Sequence, residues 1–132
     1  KADLIILGPG SFLTSVIPPL LVRDIVNTIV KSNGHCVFID NIVNENSPAG
    51  KLTLDEKLLW IEENIGVQPI NSVIVNGDAV KSDIVPVIAS DLSNENVSHY
   101  HDSQKLLVAL EKCWGQHKLD SSQQDLADIV NS

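Results

Sequence analysis

Positive charge is scarce in this sequence. Its 132 residues include nine Lys and Arg against seventeen Asp and Glu, for a net charge of -8, and Arg23 is the single arginine. A protein that follows a nucleic acid backbone needs a basic stripe to neutralise phosphates. The composition therefore argues against DNA or RNA as the main partner.

Long apolar runs and cysteine motifs are also missing. The longest apolar runs are four to seven residues, whereas a helix needs about 20 to cross a bilayer. No signal peptide is visible. Cys36 and Cys113 are the two cysteines, and they lie far apart without the spacing of a metal site. This predicts reduced, buried thiols in a cytoplasmic protein with no membrane partner.

What the sequence does contain is an alternation of strand and helix patterns. With 43% apolar residues it has enough material for a single core. Short apolar runs predict strands at 4–7, 36–39 and 70–75. Helical spacing after Pro18-Pro19 predicts a helix with a left-handed stop at Gly34, and the capping-box spacing of Thr53 and Glu56 predicts a second helix that ends at Gly66. This order predicts a mainly parallel sheet with helices on its faces.

The last third of the sequence is less regular. Pro86 interrupts the apolar run 84–89, which predicts an edge strand or an irregular connection because proline lacks a ladder donor. A final helix is predicted from about Asp102. Residues 120–132 are predicted to form a polar tail or a loosely packed terminal helix, which leaves 1–119 as the main domain.

The first predicted strand ends in a glycine-rich loop. Gly8 and Gly10 allow the backbone to approach a ligand, Pro9 stiffens the turn, and Ser11 is expected to cap a helical turn that runs through Ser15. Amides at such a turn attract phosphate without a basic side chain. Because the loop matches neither G-x-G-x-x-G nor the Walker pattern, a structural turn and an anion or nucleotide contact both stay open.

A second strand end carries Asp40 and Asn41. Ligands of parallel sheets bind at the carboxyl ends of the strands, so this pair and the glycine-rich loop are predicted to meet if their strands are neighbours.

The histidines give weaker signals. The run from His99 to Asp102 puts two imidazoles and a carboxylate near one strand end, but no third or fourth ligand has suitable spacing, and no metal site is predicted. His35 and Cys36 are adjacent on a strand and should point to opposite faces, which argues against a nucleophile–base pair. A Gly-x-Ser-x-Gly elbow is lacking, which disfavours a serine hydrolase.

A family resemblance rests on the opening motif, which reads Ala2-Asp3-Leu-Ile-Ile-Leu-Gly8-Pro9-Gly10-Ser11-x-x-Thr14-Ser15-x-x-Pro18. It resembles a core motif of the gluconeogenesis-factor family, bacterial proteins related to 2-phospho-L-lactate transferase. The likeness continues through 37–41, 47–49, 54–66, 72–75 and 101–102, and it covers residues 2–112. Ser-Pro-Ala at 47–49 is typical of the proteobacterial branch.

The resemblance implies an α/β, Rossmann-like three-layer fold with a mainly parallel sheet. Family members are longer and begin with a glycine-rich loop that this chain lacks, so the chain resembles their C-terminal half, a partial domain. On this basis 1–119 is the C-terminal half of a Rossmann-like ligand-binding domain. The open sheet edge is expected to pair with the missing N-terminal half or with a second copy in a homo-oligomer.

The function implied by the resemblance is regulatory. Such a protein binds a nucleotide or nucleotide sugar of the UDP-N-acetylglucosamine type and supports cell shape and wall synthesis during gluconeogenic growth. The family also implies a set of candidate ligand-binding residues. These are Gly8, Pro9, Gly10, Ser11, Thr14, Ser15 and Asn41, with Asp40, Tyr100 and His101 as further candidates. Tyr100 stands where the family is expected to have Arg.

An enzyme is the alternative that the resemblance leaves open. Transferase relatives move a phospholactyl group from a nucleotide-activated donor with the help of magnesium. Asp40 is the only acidic residue predicted at a strand end, so further magnesium ligands are expected outside this chain. A third interpretation is a structural half-domain without a ligand.

Overall fold

A four-stranded sheet forms the centre of the molecule. The computed structural model describes residues 2–41, 48–78, 80–96 and 101–130. The strands of the sheet are β1 (Leu4–Leu7), β2 (His35–Ile39), β3 (Ser72–Asn76) and β4 (Val87–Ser90). They lie in the order β1-β2-β3-β4, with Leu7 of β1 opposite Phe38 of β2, and Val75 of β3 opposite Ala89 of β4. Every pairing is parallel, which confirms the predicted α/β fold.

Helices connect these strands and cover both faces of the sheet. They are α1 (Ile17–Leu20), α2 (Arg23–Lys31), α3 (Leu54–Ile65) and α4 (Ser103–Val130), with a π-helical turn at Phe12–Val16 and a 3-10 turn at Pro48–Lys51. Along β2, Cys36 and Phe38 pack into one core with α1, α2 and α3, whereas Val37 and Ile39 pack into a second core with α4. The result is three layers, and burial on both faces explains why the strands read as continuous apolar runs.

Helix α3 begins and ends as its sequence predicts. The Thr53 hydroxyl accepts from the amide of Glu56 at 3.2 Å, and the Glu56 carboxylate accepts from the amide of Thr53 at 3.0 Å. Gly66 ends the helix with φ of 89°. Both predictions are confirmed, because the capping box and the left-handed glycine satisfy backbone groups that a helix leaves open at its ends.

The prediction of a left-handed stop at Gly34 is wrong. The positive-φ glycines of the described residues are Gly8, Gly66 and Gly77. Helix α2 ends at Lys31, and the hydroxyl of the following Ser32 donates to the carbonyl of Ile29 at 2.8 Å. Gly34 is required for a different reason, since a Cβ there would lie 2.7 Å from the carbonyl oxygen of Ala2.

The helix predicted after Pro18-Pro19 is broken in two. Val22 is extended between α1 and α2, and Val26 is the one buried side chain of α2. Ile25 and the partly buried Ile29 line a groove with β1, which lies at the edge of the sheet. There, Ile6 is 44% and Ile25 41% exposed. An apolar groove of about 740 Å³ separates β1 from α2.

The other edge and the last helix follow the prediction more closely. Strand β4 begins after Pro86, whose carbonyl accepts from the amide of Val73 at 3.0 Å. Thus the proline lies just before the strand, where its missing N–H is not needed. Asp102 caps α4 by accepting from the amides of Gln104 and Lys105, both at 3.0 Å. The helix continues through Val130, and its side chains beyond residue 117 are exposed. The boundary between 1–119 and 120–132 stays a prediction.

None of the single helices in the described ranges is long and apolar enough to span a membrane. One bent pair, residues 12–21 with Arg23–Lys31 at 79°, passes that test by length and composition alone.

Candidate functional site

The glycine-rich loop and the end of β2 touch each other. Gly8 has φ of 83°, and a Cβ placed there would lie 2.9 Å from the carbonyl oxygen of Ile39. The peptide bond between Gly8 and Pro9 is cis. Since β1 and β2 are parallel neighbours, the two strand ends meet at one edge, as expected.

Behind Gly8 the loop folds back on itself. A Cβ on Gly10 would lie 2.9 Å from that of Ser15. The carbonyl of Ser11 accepts from the amides of Ser15 at 2.8 Å and Val16 at 3.1 Å. Ser11 occupies the N-cap position of this turn, as the sequence predicts, although its side chain makes no capping hydrogen bond. Thr14 and Ser15 are exposed, whereas Phe12 is buried beneath them.

A buried lysine joins this loop to Asp40. The Lys57 ammonium lies 2.8 Å from Asp40 Oδ1, with side-chain exposures of 10% and 20%. It also lies 5.7 Å from the centre of the Phe12 ring. The amide of Asn41 donates to the same Asp40 oxygen at 3.0 Å. The carboxylate therefore has two donors, which offset part of the cost of taking it out of water.

Lys57 is the site residue that the sequence analysis missed. It lies on the buried face of α3 among apolar positions, with Leu54, Leu58 and Ile61. The signal was present, because a charged residue within an apolar helical stripe must be paired or must reach water along its stem.

His101, directly before the capping residue of α4, contacts the backbone of Asp40. His101 forms an isolated antiparallel β-bridge with Ser93. Burial lowers the pKa of its imidazole, and a hydrogen bond with the Asp40 backbone opposes that shift. Its Nε2 is buried without a hydrogen-bond partner. Tyr100, the other candidate from this segment, lies outside the described residues, as does His99.

Asp40 is not the only acidic residue at a strand end, which corrects the sequence analysis. Asp91 directly follows β4, and its carboxylate lies 2.7 Å from the ammonium of Lys105. Hydrogen bonds from Lys105 and Ser93 lower the pKa of Asp91 to about 2. This second pair is open to water, with side-chain exposures of 32% and 64%.

The two cysteines and His35 lie as predicted. Both thiols are buried and free, and burial raises the pKa of Cys36 to about 12. Cys36 packs with the helices of one face, while His35 contacts Ser72 on the other. His35 and Cys36 therefore do not form a nucleophile–base pair.

A comparison with known families covers most of the chain. The family model described as 2-phospho-L-lactate transferase CofD matches residues 1–113. The chain belongs to this CofD family.

Curated relatives show which members of the CofD family this chain resembles. A protein of Pasteurella multocida, provisionally named a gluconeogenesis factor, is 34% identical over 119 residues, which cover 88% of the chain and 39% of the relative. A Yersinia pestis protein with the same provisional name is 37% identical over 116 residues, 84% of the chain and 37% of the relative. The gluconeogenesis factor of Halalkalibacterium halodurans is 31% identical over 108 residues, 82% of the chain and 34% of the relative. The family resemblance is confirmed, and the chain spans less than two-fifths of these relatives.

A solved structure agrees with the fold. The crystal structure at 2.60 Å of a upf0052-family protein from Bacillus halodurans has a TM-score of 0.67 and 28% identity, over 80% of this chain and 42% of that one. The parallel sheet described above thus matches part of a longer upf0052-family structure.

The CofD-family transferases raise the question of magnesium. Within the described residues, no group of three His, Cys, Asp or Glu side chains is arranged to hold a metal ion. The Asp40 carboxylate is engaged by Lys57. The described residues therefore do not fit a magnesium site by themselves, since Mg²⁺ prefers several oxygen ligands in octahedral geometry.

Proposed function

We propose that this chain forms part of the ligand site of a gluconeogenesis factor. Its ligand is a nucleotide or a nucleotide sugar of the UDP-N-acetylglucosamine type. The protein acts as a cytoplasmic regulator of cell shape and wall synthesis during gluconeogenic growth. The observation that carries this proposal is the buried ion pair of Lys57 and Asp40 against the glycine-rich loop, 2.8 Å from atom to atom.

Charge supports an anionic ligand at this position. The chain as a whole has a net charge of -8, so a diphosphate would be repelled unless a local cation attracts it. Lys57 supplies that cation, held in a largely dry position where an ionic contact is stronger than in water. In the proposed complex, a phosphate oxygen accepts from a second N–H of the Lys57 ammonium, which has three donors, so the pair with Asp40 is kept.

The loop supplies the uncharged contacts of the proposed site. Gly8, Pro9 and Gly10 let the ligand approach the backbone, and the hydroxyls of Ser11, Thr14 and Ser15 bind phosphate or sugar oxygens. Asn41 orients a ribose or sugar hydroxyl. His101 has a buried Nε2 with unused hydrogen-bonding capacity, and it binds a further ligand hydroxyl.

The rest of the site belongs to other parts of the protein in this proposal. Relatives continue well beyond the matched segment, and β1 has an apolar groove beside it at the sheet edge. An N-terminal half that pairs with β1 would cover this groove and bring further ligand contacts. A second copy of the chain is the alternative occupant, in a homo-oligomer.

Isothermal titration with UDP-N-acetylglucosamine tests the proposal. The ligand is titrated into this chain and into the full-length Pasteurella multocida relative. Binding to the chain should be lost in Lys57→Gln and retained in Lys105→Gln, because only Lys57 lies against the loop. Ser11→Ala combined with Thr14→Ala should weaken binding without unfolding. No heat with either protein at millimolar ligand contradicts the proposal.

A phospholactyl-type transferase is the second candidate, favoured by the description of the matching family model. It requires magnesium ligands from outside the described residues. Formation of a phospholactyl-deazaflavin from a guanosine-diphosphate-linked lactate by the full-length relative would establish this activity. A ligand that binds without turnover of that donor would favour the regulator.

A further inference from the structure

A cluster of polar side chains joins α4 to the sheet at the amino ends of β2 and β3, away from the candidate ligand site. It consists of His35 on β2, Ser72 on β3, and Cys113 and His117 on α4, and we refer to it as the His35 cluster. His35 Nε2 lies 2.7 Å from Ser72 Oγ, which lies 3.2 Å from Cys113 Sγ. The ring centres of His35 and His117 lie 4.3 Å apart, and the two rings are tilted by 33°. The candidate ligand site lies at the carboxyl ends of the strands and does not include these residues.

The hydrogen bonds of this cluster depend on the charge of His35. A neutral imidazole either donates or accepts at Nε2, and the Ser72 hydroxyl can adapt to both cases. An imidazolium donates only, so Ser72 must then accept from His35 and turn its proton toward the sulfur of Cys113. Sulfur is a weak acceptor. Protonation therefore removes the arrangement in which Ser72 donates to Nε2, leaves only the one in which Ser72 donates to sulfur, and adds charge to a half-buried contact.

The surroundings of His35 also disfavour its charged form. Facing it from α4 are Cys113, His117 and the carboxylate of Asp120, and β3 presents the neutral Ser72. On β1 its paired residue is Leu4, and the carbonyl of Asp3 accepts from its amide. Burial lowers the pKa of His35, proximity to His117 lowers it further, and Asp120 raises it.

We propose that the His35 cluster is a pH-sensitive latch that holds α4 against the sheet while His35 is neutral and releases the helix beyond Cys113 when His35 gains a proton. The family match ends at residue 113, where the buried face of α4 also ends, since Cys113 is its last buried side chain. The rings of Trp114 and His117 lie 5.3 Å apart. Beyond them, the side chains of residues 118–130 are exposed.

The sign of the effect follows from proton linkage. The folded pKa of His35 lies below its usual value of about 6.5, so the released state binds more protons as the pH falls. The latch is complete above that pH and is lost on acidification toward the folded pKa.

Trp114 provides the readout in the 132-residue chain. Trp60→Phe leaves Trp114 as the single tryptophan. Its emission should then follow a sigmoidal curve between about pH 8 and about pH 5, with amide exchange rising over 114–130 more than over 106–110. His35→Gln, which keeps a hydrogen-bonding group but cannot titrate, should abolish the transition. His101→Gln should leave it in place.

Two exposed aspartates supply a matched pair that does not disturb the core. Asp120 and Asp128 each accept a hydrogen bond at 2.9 Å from a glutamine four residues earlier. Asp120→Asn should move the midpoint of the Trp114 transition to lower pH, whereas Asp128→Asn should not move it. A pH-independent emission, a transition that survives in a folded His35→Gln variant, or equal midpoints for both aspartate variants would overturn the proposal.

Discussion

The carboxyl edge of the sheet has two ends built from the same parts, and they differ in their access to water. At the β1–β2 end, Gly8 has φ of 83° and Lys57 contacts Asp40 at 2.8 Å. At the β3–β4 end, Gly77 has φ of 89°, and Lys105 contacts Asp91 at 2.7 Å. The distances are nearly equal, so geometry alone does not separate the two ends.

Burial separates them. The side chains of the first pair are 10% and 20% exposed, and those of the second pair are 32% and 64% exposed. A Cβ at Gly8 would meet backbone at 2.9 Å, whereas one at Gly77 would meet nothing within 4 Å. Ion pairs of equal length therefore have different consequences, because breaking a dry pair leaves an unpaired charge and breaking a wet one returns both charges to water.

The largest difference is expected when each lysine is removed. Lys57→Met should lower the free energy of unfolding by about 3 kcal/mol, the lower end of the range for breaking a buried pair, because Asp40 keeps some contact with water. Lys105→Met should cause a distinctly smaller loss. Urea denaturation of both variants measures the two values. Equal losses would show that burial does not separate the pairs.

Alanine substitution of the two glycines is expected to give the next largest difference. Gly8→Ala should cost about 2–3 kcal/mol, since the left-handed backbone and the contact with Ile39 both oppose a Cβ. Gly77→Ala meets only the backbone penalty and should cost about 1 kcal/mol. Thermal denaturation provides the comparison. A Gly77→Ala variant as unstable as Gly8→Ala would refute the role given to the close contact.

The buried end should also respond to mild acid through His101. Burial lowers the pKa of this imidazole, so the unfolded chain binds more protons as the pH falls below about 6.5, and folding loses free energy there. His101→Gln should make the unfolding free energy less dependent on pH between about 7 and about 5. His35 contributes in the same direction, so the slope should be reduced and not abolished. An unchanged slope would contradict the prediction.

The sequence predicted much of this edge because its signals are local. The capping box of Thr53 and Glu56 and the apolar run of β2 depend only on near neighbours, and both are confirmed. The meeting of Gly8 with the end of β2 followed from the rule that parallel strands end at the same edge. The identity of the ligand residues stays a prediction.

The errors concern contacts between distant segments. The Lys57–Asp40 pair joins residues 17 positions apart, and no spacing rule connects a helix position with a strand end. Gly34 was assigned to a helix stop, although its close neighbour is the carbonyl of Ala2. Lys57 is explained by its contact with Asp40, and Gly34 by the closeness of Ala2. In both cases the neighbouring residue comes near only in the folded chain.

The smallest expected effect concerns the exposed pair and strong acid. Hydrogen bonds from Lys105 and Ser93 lower the pKa of Asp91 from 3.8 to about 2, so the stabilisation from this carboxylate is present above 3.8 and disappears as the pH falls to about 2. Lys105→Ala should raise the pKa of Asp91 toward its usual value, and added salt should do the same in the parent chain. Carboxyl chemical shifts in an NMR pH titration measure both changes, with Lys112→Ala as the control. If the pKa of Asp91 does not change when Lys105 is removed, then Ser93 alone stabilises this carboxylate. In that case the ion pair at the β3–β4 end contributes nothing to stability.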